Sequence, residues 1–342
     1  MIRPSVPALV LGFASCWAGV AAANETVPSV APPEALPPGQ LVGQASLSFG
    51  YNDNLLFVAD QSLFFPPGGE QAASFATLGV GAAYEWPGSG TLSYGVLGGI
   101  SATRHFGDQP PGMPPGTDDP SAYSNAVVFA TLFARITPDG PGGRLEILPS
   151  YTIRHESDAD VEALGLTSHQ LRLDARYQAT PQLRIDGHLL YQNNDFSVVF
   201  PQPTRDRDAD YTEAGLGLVY TTQPGGAVLR AGIALEHNDA NGSDWSYDGV
   251  RLSAGVSGPL AGNLHGALDA SVSDRDTGMG FADLVAGGRT DLTITTLTGR
   301  LIYRLSDTGS ITATVTYHDV SANHPAFSGD SLTGAIGYAF QF

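Results

Sequence analysis

The sequence predicts an all-β protein, a transmembrane antiparallel β-barrel of about fourteen strands, within a range of about twelve to sixteen. Three observations predict it. From Leu41 to Phe342, apolar residues recur at every second position, the period of a strand with one greasy and one polar face. Long polar loops alternate strictly with tight turns, as an even-stranded barrel requires when both termini lie on the periplasmic side. Arginines within the strands fall on the face opposite the apolar residues; on the lipid face each would cost about 2–4 kcal/mol.

The chain reads as three segments. Residues 1–23 carry one positive charge (Arg3), an apolar run from about Val6 to Val20, and Ala21-Ala22-Ala23 before Asn24. That is the pattern of a secretory signal peptide, and its run is too short for a membrane-spanning helix. Residues 24–40 are proline-rich and without period, an extended lead-in. Residues 41–342 form the barrel.

Cys16 is the single cysteine. Phe13, three residues before it, suits a lipidation site poorly, so Cys16 is expected to leave with the signal. The mature chain then has no disulfide, thiolate metal site or cysteine nucleophile. The formal charge is −18, and all 16 basic residues are arginine. An acidic exported chain of this kind is not a nucleic-acid binder, which needs a basic face.

Taken in order, the first strand runs from Leu41 to Tyr51 with Ala45, Leu47, Phe49 and Tyr51 on one side. The second (72–86) shows Leu78, Val80, Tyr84 and Trp86, and Pro87-Gly88-Ser89-Gly90 turns it into the third (91–105), with Leu92, Tyr94, Val96 and Ile100. The fourth (122–136) presents Val128, Ala130, Leu132 and Ala134, and the fifth (144–155) Leu145, Ile147, Tyr151 and Ile153. The sixth (169–179) alternates most cleanly, Leu171, Leu173, Ala175 and Tyr177 against Arg172, Asp174, Arg176 and Gln178. The seventh (183–192) shows Ile185, Leu189 and Tyr191; the eighth (211–222) Leu216, Leu218 and Tyr220; the ninth (227–237) Leu229, Ile233 and Leu235. The tenth (247–257) follows with Val250, Leu252 and Val256, and the eleventh (263–273) with Leu264, Leu268 and Val272. In the twelfth (290–305) Leu292 and Ile294 are out of step with Leu297, Leu301 and Tyr303, which predicts a bulge or a displaced start. The thirteenth (310–318) shows Ile311, Val315 and Tyr317. The last begins near Ser331.

That last strand, SLTGAIGYAFQF, sets Leu332, Ile336, Tyr338, Phe340 and Phe342 on one face. Such an ending resembles the C-terminal assembly signal of bacterial outer-membrane β-barrel proteins, with Tyr338, Phe340 and Phe342 as its aromatic residues. The resemblance implies that the last strand pairs with the first, and that the partners are the barrel-assembly machinery and outer-membrane lipid. A second resemblance lies at the first strand's end. In SFGYNDNLLF, residues Gly50, Tyr51, Asp53 and Asn54 match the G-Y-x-x-N string of the β-barrel porin 2 family. That family implies an outer-membrane barrel, often associated with saccharide traffic.

The phase places Arg135, Arg144, Arg154, Arg172, Arg176, Arg184, Arg230, Arg251, Arg300 and Arg304 inside, with Glu85, Glu146, Asp174, Asp186, Glu213, Glu236 and Asp269. Arg104 is the exception, at the rim. Two readings follow. The arginines line a channel for small polar or anionic solutes, the strongest arc running from Arg135 to Arg184; or they pair with the carboxylates and hold a polar interior together. Inward Leu97, Phe129, Phe133, Leu148 and Leu190 imply an apolar arc, or a loop packed there.

The acidic runs Ser157–Glu162 and Arg205–Asp210 lack the spacing of a calcium loop, so they read as solvated loops. The eight histidines show no metal-ligand spacing. His105, His155 and His318 lie near loop ends with serines or aspartates in reach. A hydrolase is therefore the third reading, after a channel and a structural or adhesive barrel working through its acidic loops. No cofactor, metal or catalytic residue is expected.

Overall fold

The computed structural model describes residues 39–54, 72–88, 90–107, 120–140, 143–158, 165–197, 206–278, 291–323 and 328–342. The signal peptide, nearly all of the lead-in, the run 159–162 and His324 lie outside them.

Fourteen strands close into one antiparallel barrel. They are β1 (Leu41–Asn52), β2 (Ala73–Trp86), β3 (Leu92–Phe106), β4 (Asn125–Ile136), β5 (Leu145–Asp158), β6 (Leu166–Gln178) and β7 (Leu183–Phe196). The second half holds β8 (Ala209–Thr221), β9 (Val228–Ala240), β10 (Tyr247–Ala261), β11 (Leu264–Asp276), β12 (Leu292–Arg304), β13 (Gly309–Ala322) and β14 (Gly329–Gln341). Each strand pairs with its sequence neighbours, and β1 pairs with β14 to complete the ring. Closure gives every strand two partners, so no edge is left with unpaired amides.

The outward face is the greasy one. Leu41, Leu216, Leu132 and Phe342 are between 61% and 66% exposed, and every strand contributes outward apolar residues of this kind. A soluble sheet does not expose so continuous an apolar surface, whereas a lipid-facing barrel must. Trp86, Tyr94, Tyr177, Tyr220, Tyr303 and Tyr338 stand outward near the ends joined by short turns. They mark one aromatic girdle.

Turn chemistry follows the sequence. In Gln223-Pro224-Gly225-Gly226, Gly225 takes φ +73 and the Gly226 amide donates to the Gln223 carbonyl at 2.8 Å. Proline followed by a left-handed glycine is what a type II turn asks for.

The bulge expected in the twelfth strand is corrected, and the strand starts at Leu292 rather than Thr290. Its pairing with β13 runs without a slip from Leu292–Ala322 to Arg304–Ser310. Leu292 and Ile294 are out of step because they point inward. There they pack with Val320 in a small buried cluster beside Ala322. Burial against a neighbour, not a change of register, explains the broken alternation.

Several strands reach further into the loops than the alternation implies. β5 extends to Asp158, β6 begins at Leu166 and β13 continues to Ala322.

Candidate functional site

The lumen wall is the candidate site, because the sequence places its charges there. Nine of the ten arginines occupy strand positions of inward parity; Arg144 lies exposed in the turn just before β5. Most are held by carboxylates along the wall. On one arc, Arg135 reaches Glu85 at 3.0 Å and Glu146 at 2.8 Å, and Arg176 reaches the same Glu146 at 3.0 Å. Ser93 also donates to Glu85. Arg154, Arg172 and Arg184 each pair with the carboxylate two residues on, Glu156 at 2.6 Å, Asp174 at 2.7 Å and Asp186 at 2.7 Å. Residues two apart on a strand share a face, so these pairs form within one strand.

A second network spans β7 to β11 near the loop ends. Arg251 bridges Glu213 at 2.6 Å and Glu236 at 2.7 Å. Glu213 also accepts from Tyr211 at 2.5 Å and meets His188 Nε2 at 2.6 Å. Glu236, whose side chain is wholly buried, accepts from Ser273 at 3.0 Å and pairs with Arg275 at 3.4 Å. The Arg275 guanidinium lies 4.5 Å from the Tyr247 ring centre. Such a network stays stable inside a protein only because each charge meets an opposite one.

Sequence reasoning missed Arg275 and Glu156. Arg275 falls in the polar run Asp274–Asp276, which reads as loop but is the last turn of the ladder in β11. The inward parity of Ser271 and Ser273 extended by two positions would have found it.

The apolar arc is real. Ala83, Leu97, Phe129 and Phe133 pack together inside with Val42, and Leu148 is fully buried. The rings lie flat on the wall. A Cβ at Gly95 would meet the Phe133 ring at 2.3 Å, and one at Gly99 would meet the Phe129 ring at 3.0 Å. His188 covers Gly215 in the same way, at 2.2 Å from such a Cβ. Inward glycines thus give large neighbours a place to lie sideways.

The adjoining arc carries hydroxyls. Thr298 and Thr316 are hydrogen-bonded at 3.2 Å, and Thr312, Thr314, Thr333 and Ser48 continue the inward surface from β13 round to β1. All described ion pairs of the lumen join one strand to itself or to a strand at most two away. Among the described residues, none crosses the interior.

The acidic loop run is structural. Asp208 accepts from the Phe196 amide at 2.7 Å, Asp206 accepts from the Asp208 amide at 3.2 Å, and Arg207 stacks 4.1 Å from the Phe196 ring centre. Burial pushes the Asp208 carboxyl up against the pull of the Phe196 amide, and Asp206 and Asp195 add to the rise. Among the described residues no group of histidine and carboxylate side chains has the arrangement of a metal site.

The histidines are scattered. His105 is fully buried with its Nδ1 3.1 Å from the Tyr123 carbonyl. His155 points outward to Thr167 at 3.0 Å, and His318 faces inward 3.0 Å from Thr296. The structure does not bring these three together.

The G-Y-x-x-N string has a structural task. The Asp53 carboxylate accepts from the Leu332 amide at 2.7 Å, and the Asn54 side chain donates to the Asp330 carbonyl at 2.8 Å. Both tie the end of β1 to β14. At the other end of the seam, Phe342 exchanges backbone hydrogen bonds with Gly43 at 2.7 and 2.9 Å, and its ring covers Gly43.

No family model matches the chain, and none of the curated proteins compared with it matches. Solved structures do. The chain is similar to the outer membrane channel DcaP of Acinetobacter baumannii, with a TM-score of 0.50, 12% identity, and coverage of 89% of this chain and 96% of that one. It is similar to a TodX monoaromatic hydrocarbon channel variant, with a TM-score of 0.50, 11% identity, and coverage of 90% and 91%. At such identity the likeness is one of fold. The chain folds as a closed antiparallel β-barrel, the architecture these structures share.

Proposed function

We propose that this chain is an outer-membrane, porin-like channel for small polar solutes with a preference for anions, its turn ends and both termini facing the periplasm. One observation carries the reading. The inward side chains are drawn back along the wall, by sideways ion pairs and by rings laid on glycines, while the outward face is continuously apolar. A barrel built to be filled sends its large side chains across the interior instead. Among the described residues, the anion preference comes from ten inward strand arginines, Arg275 included, facing eight inward carboxylates. The hydroxyl-lined arc suits solutes with hydroxyls, which fits the saccharide traffic implied by the Gly50–Asn54 string.

Single-channel recording of the refolded protein in a planar bilayer under a salt gradient tests the reading. Stable openings with a reversal potential on the anion side are expected. A folded, heat-modifiable protein that never conducts overturns it and returns the barrel to a structural or adhesive role.

A further inference from the structure

The arc from Arg135 to Arg184 has lost most of its free charge. Each of its strand arginines meets a carboxylate at 3.0 Å or less. The excess of positive charge must therefore reside elsewhere on the wall.

It resides on β9 to β12, towards the turn ends. Arg230 leaves β9 inward, 41% exposed; its guanidinium donates to Ser257 at 3.1 Å and stands 3.8 Å from Asp269, a looser contact than any in the arc. Arg300 faces inward on β12, with Asp269 and Arg230 as its charged neighbours. His265 and Arg304 flank it on β11 and β12. One half-exposed carboxylate thus meets Arg230 loosely and acts on Arg300 only through space.

Register explains the grouping. Arg230, Gly255, Asp269 and Thr298 stand opposite one another across β9, β10, β11 and β12. Gly255 leaves a gap over which Asp269 leans, since a Cβ there would meet its carboxylate at 2.3 Å. Arg300 stands one inward step away from Thr298 on the same strand, opposite Ala267. Small side chains on β10 and β11 leave the Arg230 guanidinium open to the lumen, Arg300 lies half-buried beside it, and Ser257, Thr298 and Thr314 supply hydroxyls around them.

We propose that Arg230 and Arg300, with the hydroxyls of Ser257 and Thr298, form a lumenal binding subsite for a small oxyanion, a carboxylate or phosphate group carried on a hydroxylated solute. Guanidinium groups match carboxylate and phosphate oxygens in charge and geometry, and Asp269 keeps the site from holding its anion too tightly to release. This subsite deepens the channel reading and rests on it, yet the two fail separately.

The experiment compares wild type, R230S/R300S and the outward-facing control L216A, which lies outside the lumen, each refolded and recorded in the same bilayers. Inorganic phosphate and glucuronate are added as blockers of chloride current. Expected are anion preference and phosphate block in wild type and control, with block at least about tenfold weaker and selectivity shifted towards cations in R230S/R300S. Conducting R230S/R300S with unchanged reversal potential and block overturns the subsite and leaves the channel standing. If no form conducts, the channel reading falls, and calorimetric titration of the detergent-folded proteins with phosphate decides the subsite. Weaker binding in R230S/R300S alone keeps it; equal binding overturns it.

Discussion

Glu236 and Asp186 hold arginines of the same barrel at opposite extremes of burial, so their variants should behave differently. The Glu236 side chain is wholly buried and Arg275 beside it is 5% exposed. Glu236→Ala leaves Arg251 and Arg275 short of their partner, and about 3–5 kcal/mol of stability is expected to go. The Arg184–Asp186 pair is 26% and 30% exposed. Arg184→Ser is expected to cost at most about 1 kcal/mol. Urea titration of heat-modifiability in detergent measures both, and equal shifts would refute the distinction. Gly215→Ala acts through its neighbour. The new methyl group displaces the His188 ring and breaks its contact with Glu213, with an expected loss of about 1.5 kcal/mol. His188→Ala in the same background should make that substitution harmless.

At the scale of strands, the string at Asp53 and Asn54 serves as a clasp. Asp53→Ala removes the acceptor of the Leu332 amide, and about 1 kcal/mol of seam stability is expected to go with it. Protease cleavage within β1 and β14 should rise in that variant while the hairpins formed by neighbouring strands stay protected. The strands themselves were legible because lipid outside and water inside impose one binary pattern on each. That pattern placed nine of the ten arginines from Arg135 to Arg304 at inward strand positions, while Arg144 falls in the turn before β5. It misled at Leu292 and Ile294, where inward residues are apolar, and it stopped short of Arg275. The choice of ion-pair partners was not legible. Arg251 finds Glu213 two strands away, and only the register between β8, β9 and β10 brings them together. A single strand's alternation carries no information about its neighbour's register.

For the whole molecule, the wall divides into a neutralised charged arc, an apolar arc, a hydroxyl arc and a positive pole at Arg230 and Arg300. Raising salt should weaken ion preference, because lumenal charges are screened over about 10 Å at 0.1 M. Preference that persists at 1 M would contradict a selectivity based on exposed arginines. The seam has a further consequence, in time rather than in space. Pairing Gln44 with Gln341 joins the two ends of the barrel sequence, whereas every other hairpin joins strands next to each other in the chain. Local hairpins close short loops at little entropic cost, but the seam must gather the whole chain first. Until it does, β1 and β14 each expose a row of unsatisfied amides, ready to pair with a neighbouring chain. The clasp at Asp53 and the Phe342–Gly43 contact therefore govern how long the barrel stays open to misassembly. Deleting Phe342 should lengthen that interval and raise aggregation during refolding at high protein concentration, even where the final barrel melts at nearly the wild-type temperature.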